Sequence, residues 1–135
     1  MLEMILKQNE LNQLFRHLPK EGVILIKGDL ASGKTTLVKE FVNYLGIRDL
    51  VDSPTFSIMQ KYFNDQYVVY HYDIYQKGFK SLLDNTLIEN FFENALHLVE
   101  WGDENLKNCL ERFGKKSIFI EIELFKDKRK YKIYE

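Results

Sequence analysis

The stretch "GDLASGKTT", Gly28 to Thr36, limits what this chain can fold into more than any other. Gly28 and Gly33-Lys34-Thr35 fit the spacing G-x-x-x-x-G-K-[ST]. Before it stands "VILIK", a short, almost wholly apolar run rich in β-branched residues, the pattern of a strand buried on both faces. After it, "TTLVKEFVNYLG" sets Leu37, Phe41, Val42 and Leu45 on one helical face and stops at Gly46. Strand, glycine-bearing loop and helix in this order make an anion nest. Gly33 lets the backbone approach phosphate oxygens, and successive N–H groups join the helix N-terminus in facing them. Lys34 would reach the β- and γ-phosphates, and the Thr35 hydroxyl would bind Mg²⁺.

The remaining chain must build a sheet around that strand. "NELNQLFRHLPKEG" places Leu11, Leu14, Phe15 and Leu18 at helical spacing, with Asn9 as the expected cap and Pro19 and Gly22 as the stop. "SIMQKYFNDQYVVYHYDIY" reads as two strands around Asn64-Asp65. "KGFKSLLDNTLIENFFEN" predicts one or two short helices, "ALHLVEW" a buried strand ending in an acid, and "GDENLKNCLERFG" a polar helix ended by Gly114. "KSIFIEIELFKDKRKYKIY" alternates like a hairpin with its turn at Lys126 to Arg129. The order predicts an α/β chain with one domain over residues 1–135. The expected architecture is a P-loop NTPase-like three-layer fold with a mixed sheet and antiparallel marginal strands.

Composition narrows the function classes. The chain has 135 residues, enough for one core, and 19 Lys and Arg stand against 20 Asp and Glu. That balance gives no whole-protein attraction to nucleic acid or to an anionic membrane, so any RNA contact is local or supplied by a partner. The lone Cys109 cannot close an intrachain disulfide, and no cysteine cluster suggests a metal site. No signal-peptide pattern and no apolar run near ~18 residues is evident, which makes the cytoplasm the expected location and a membrane an unexpected partner.

A phosphate loop needs a nearby acid to complete a Mg²⁺ site, usually at the end of a buried strand. "ALHLVE" supplies Glu100 in that position, with Asp103 as runner-up just beyond. Trp101 reads either as a core aromatic or as a cover over the site. In "YHYDIY", strand geometry puts His71 and Asp73 on one face, where both could point at the phosphates and Asp73 could orient or deprotonate a water. The alternative is that His71 packs among tyrosines and Asp73 caps a turn.

Four blocks therefore stand in order: "GDLASGKTT", "DSPTF", "YHYDIY" and "LVEWGD". Together, over about Val23 to Asp103, they resemble the TsaE family. This small bacterial ATPase is required with TsaB and TsaD for the threonylcarbamoyl modification of adenosine-37 in tRNA. The resemblance implies that Gly28, Asp29, Leu30, Ala31, Ser32, Gly33, Lys34, Thr35 and Thr36 bind ATP. It implies that Thr35 and Glu100 hold Mg²⁺, and that Ser53 and Thr55 belong to a switch-like segment facing the γ-phosphate. Asp73 would support hydrolysis. The implied partners are TsaB and TsaD, with tRNA reached through the complex. Some positions depart from the family pattern. Ala31 stands where the family usually has Gly, Glu10 where it often has Thr beside the adenine, and Gln76 where it often has Arg. The C-terminal hairpin offers a turn near Lys128 or Arg129 as the border of the base.

Two other functions would use the same loop. A small-molecule kinase needs an acceptor pocket and arginines to clamp the moving phosphate. The chain offers only Arg16, Arg48, Arg112 and Arg129, none in a recognisable lid. A guanine-nucleotide switch could use "SPTF" and Glu100, but no N-K-x-D segment follows.

Overall fold

A computed structural model describes residues 1–48, 58–75, 78–84 and 86–135. Seven strands form one mixed sheet, in the order β1-β7-β6-β2-β5-β4-β3. The strands are β1 (Leu2–Leu6), β2 (Gly22–Gly28), β3 (Met59–Phe63), β4 (Val68–Asp73), β5 (Leu96–Glu100), β6 (Ser117–Phe125) and β7 (Lys128–Tyr134). The central strands β6, β2, β5 and β4 run parallel, while β3 on one side and β7 and β1 on the other are antiparallel to their neighbours. The expected mixed α/β sheet with antiparallel margins is thus present.

Helices cover both faces, because alternate residues of each central strand point to opposite sides and both sides are apolar. On one face, Ile24, Ile26, Leu98, Ile120 and Ile122 pack with Leu14 and Phe15 of α1 (Asn12–Phe15) and with Leu37, Val38, Phe41 and Val42 of α2 (Lys34–Tyr44). On the other, Val23, Leu25, Tyr72, Val99 and Phe119 pack with Leu82 of α3 (Phe79–Asp84) and with Leu106 and Leu110 of α4 (Glu104–Arg112). Phe91, in a 3-10 turn over Ile88–Phe92, completes that second layer. Gly46 and Gly114 take positive φ, 82° and 80°, where α2 and α4 stop.

One strand had no counterpart in the sequence reading, and three local expectations need correction. The segment 2–6 is a strand, paired with β7 from Leu2↔Ile133 to Leu6↔Arg129. The helix expected from Leu11 to Leu18 is a 3-10 turn over Gln8–Glu10 followed by only four α-helical residues. Its four apolar residues are nonetheless all buried, so the spacing reported burial correctly and overstated regular helix. Asn9 lies inside that turn, and the carboxylate of Glu10 accepts from the Lys7 N–H at 2.9 Å. Finally, the hairpin turn is only Lys126-Asp127, with φ 58° at Lys126, so Lys128 and Arg129 belong to β7 and pair with Phe125 and Leu124.

Candidate functional site

The loop leaves β2 at the carboxyl edge of the parallel strands, where open α/β sheets place their ligand crevices. Its backbone is strained in a specific way. Gly33, the residue before α2, has φ 107°, and a Cβ there would sit 3.1 Å from Arg129 Nε. At Gly28 a Cβ would collide with the Ser32 side chain and lie 3.0 Å from the Ile122 carbonyl. Ala31 adopts φ 60°, the left-handed region that favours glycine, so the departure noted in the sequence falls at a position that demands that conformation. For a residue with a Cβ this costs about 1–2 kcal/mol.

Lys34 opens α2 and is buried. Its Nζ donates to the carbonyls of Gly28 at 2.8 Å and Asp29 at 2.7 Å, and lies 4.0 Å from the centroid of the Trp101 ring. Burial pushes the ammonium below the usual lysine range, opposed by the carboxylates of Glu100, Asp73 and Asp29. The charge therefore sits desolvated over the loop, held by carbonyl dipoles and an aromatic face. Trp101 resolves both readings at once. It packs partly against the second core, and its ring also covers Lys34.

Glu100 ends β5 and is 3 % exposed. Its two oxygens accept from Thr35 Oγ1 at 2.8 and 3.0 Å. Parallel pairing sets Glu100 level with Ile26 of β2 and Asp73 of β4, which brings three strand ends to the loop. His71 lies two residues before Asp73 on the same sheet face, and its Nε2 is 2.5 Å from Glu100 Oε2. Both members of "HYD" thus point toward the loop. Asp73 also caps a turn, accepting from the Tyr75 N–H at 3.1 Å. Burial raises the proton affinity of its carboxyl, and Glu100 adds to that, while the Tyr75 N–H, His71 and Lys34 oppose it. Asp103 is engaged elsewhere as the cap of α4, its Oδ1 accepting from the Leu106 N–H at 2.9 Å.

These groups enclose a hollow of about 300 Å³. Of the sequence-predicted residues, Leu30, Ala31, Gly33, Lys34, Thr35, Thr36, Asp73 and Glu100 line it. Gly28, Asp29 and Ser32 shape the loop from behind, lining an adjoining hollow of about 660 Å³. Lys128 lines neither, and Arg129 lines the first. The reason is strand alternation: Arg129 shares the α2 face with Tyr131 and Ile133, and Lys128 faces the other way. That alternation, visible in "RKYKI", was the signal that could have singled out Arg129. Tyr75, which closes the block "YHYDIY", lines the hollow beside Trp101 with ring centroids 4.7 Å apart. Ser53, Thr55 and Gln76 lie outside the described residues.

The family description "Threonylcarbamoyl adenosine biosynthesis protein TsaE" matches residues 5–132. The chain belongs to the TsaE family. The tRNA threonylcarbamoyladenosine biosynthesis protein TsaE of Bacillus subtilis is 42% identical over 100 residues, covering 68% of this chain and 63% of the relative. The protein of the same name from Rickettsia conorii is 32% identical over 91 residues, covering 67% and 52%. That of Haemophilus influenzae is 27% identical over 114 residues, covering 84% and 70%. The matched stretch thus spans about three fifths of the first TsaE relative and about half of the second. The crystal structure of Bacillus subtilis YdiB superposes with a TM-score of 0.67 at 28% identity, over 98% of this chain and 83% of that one. Among the described residues, no helix is long and apolar enough to cross a membrane.

Proposed function

We propose that this chain is an ATP-binding and ATP-hydrolysing P-loop protein that serves formation of N6-threonylcarbamoyladenosine at position 37 of tRNA. It works in the cytoplasm with TsaB and TsaD, and meets tRNA through that complex. The observation that carries the reading is the convergence of Thr35 and Glu100, 2.8 Å apart, beside the buried Lys34 at the start of α2. Membership of the TsaE family supports the biosynthetic assignment.

The residues present fit Mg²⁺ and a nucleotide. Thr35 Oγ1 and the Glu100 carboxylate are hard oxygen donors brought together in a buried place. Mg²⁺ binds through one or two carboxylates plus phosphates and waters, so this small donor set suffices. The ion would neutralise charge on the β- and γ-phosphate oxygens. The first turn of α2 offers backbone N–H groups that lack intrahelical acceptors, and these orient the phosphates. Lys34 exchanges the carbonyls of Gly28 and Asp29 for phosphate oxygens, a stronger, charge-assisted partner. Asp73, whose carboxyl holds protons more tightly than usual, accepts a proton from the attacking water.

This reading favours ATP consumption that is slow alone and faster with the partners. A small-molecule kinase would need a cationic clamp, and among the described residues Arg129 is the single arginine lining the hollow. ATPase assays of the chain alone, with TsaB and TsaD, and with tRNA added test the reading. A phosphorylated small-molecule acceptor would favour the kinase instead.

A further inference from the structure

We propose that His71 is a positioning residue for Glu100, acting through Nε2 to hold the carboxylate against Thr35. The role rests on the Mg²⁺-nucleotide reading above and deepens it. The His71 ring is 0 % exposed, in the middle of a core strand. The ring lies beside that of Tyr62, with centroids 6.3 Å apart, a contact that a phenyl ring would make as well, so packing alone does not require an imidazole. Nδ1 is buried and has no hydrogen-bond partner among the described residues. Its other nitrogen lies 2.5 Å from Glu100 Oε2, the one polar contact found for it among the described residues. Glu100 accepts there, so Nε2 carries a proton.

The carboxylate has a reason to be held. Parallel pairing sets Asp73 level with Glu100, which brings two acids side by side at the strand ends. His71 supplies a donor to Oε2, the oxygen that also accepts from Thr35 at 3.0 Å. With Oε2 held by His71, the carboxylate is kept where both of its oxygens reach the Thr35 hydroxyl. Hydrogen-bonded supports of this kind orient metal-ligating carboxylates, and losing one typically weakens metal affinity by about 10–100-fold.

The test uses the full chain with His71→Phe, which keeps a ring without a donor, and His71→Gln, which restores an N–H. Affinity for a non-hydrolysable ATP analogue is measured by calorimetry with Mg²⁺ and with EDTA. His71→Phe should lose about tenfold or more of the Mg²⁺-dependent affinity and keep its metal-free affinity, and His71→Gln should recover most of the loss. In the nucleotide-free parent, ring ¹⁵N shifts should show a protonated Nε2, and should move in Glu100→Gln. This readout stands even if His71→Phe does not fold. A parental Mg²⁺ response in His71→Phe would overturn the role alone. So would an equal loss with and without metal that His71→Gln does not restore, or ring shifts indifferent to Glu100→Gln. A parent that binds no nucleotide in either condition would overturn the ATP reading, and this role with it.

Discussion

The hydroxyl of Thr35 donates to both carboxylate oxygens of Glu100, at 2.8 and 3.0 Å, across 65 positions of sequence. Helix α2 and strand β5 meet at this contact, where the proposed function puts Mg²⁺. Thr35→Val keeps the shape and removes the donor. We expect metal-free nucleotide affinity within about twofold of the parent and the gain on adding Mg²⁺ largely abolished. Calorimetry with and without Mg²⁺ checks this. A full Mg²⁺ gain in the variant would remove Thr35 from the metal site.

Lys34 and Asp73 should separate binding from turnover. Lys34→Ala removes the buried charge over the loop, and nucleotide affinity should fall in equilibrium binding. Asp73→Asn keeps the turn cap to the Tyr75 N–H through its amide oxygen and loses the proton acceptor. Nucleotide affinity should persist, while the maximal hydrolysis rate falls by about 10²–10⁴. A rate unchanged in Asp73→Asn would assign the proton transfer elsewhere.

Ala31, at φ 60°, predicts a stabilising substitution. Ala31→Gly relieves about 1–2 kcal/mol of left-handed strain and costs about 0.5–1 kcal/mol in unfolded-chain entropy. The net gain, between about 0 and 1.5 kcal/mol and centred on about 0.75 kcal/mol, should raise the melting temperature by a few degrees. A lower melting temperature would mean that the loop relaxes around alanine at no cost.

His97 predicts a pH dependence of stability remote from the loop. The ring is buried between Tyr70, Tyr72 and Phe91, with Nδ1 3.0 Å from the Tyr72 hydroxyl and Nε2 3.0 Å from the Glu93 carbonyl. Nε2–H donates to that carbonyl and Nδ1 accepts from Tyr72, so the neutral ring is satisfied. Burial is the main reason its proton affinity is below the ordinary value of 6.5. The unfolded chain therefore binds the proton more readily. His97 contributes stability in full above about pH 6.5, and that contribution is lost as the pH falls toward the lower, folded value. Denaturant midpoints at pH 7.5 and 5.5 should differ more for the parent than for His97→Gln. Equal differences would show that His97 does not carry the effect.

The elements nearest the loop were legible because their signals are local. "VILIK" has the continuous apolar run of a doubly buried strand, and Leu37, Phe41, Val42 and Leu45 have the helical period of α2. Glu100 was legible as an acid closing an apolar run, and Asp103 proved to be a helix cap. What escaped depends on distant pairing. β1 alternates over only five residues and gains meaning from β7, at the opposite end of the chain. The His71–Glu100 contact needs the parallel register of β4 with β5, which no local pattern encodes. Lys128 and Arg129, expected in the turn, begin β7 instead, and only their place in the strand shows that they face opposite sides of the sheet.

The account rests on nucleotide chemistry at one loop, coupled to a tRNA-modifying complex. Its most direct test is ATP hydrolysis by the parent and by Lys34→Ala, each alone and with TsaB, TsaD and tRNA, in the presence of Mg²⁺. The account predicts slow turnover by the parent alone, faster turnover with the partners, and none attributable to Lys34→Ala in either mixture. Parental turnover that ignores the partners, or equal turnover by Lys34→Ala, would contradict it.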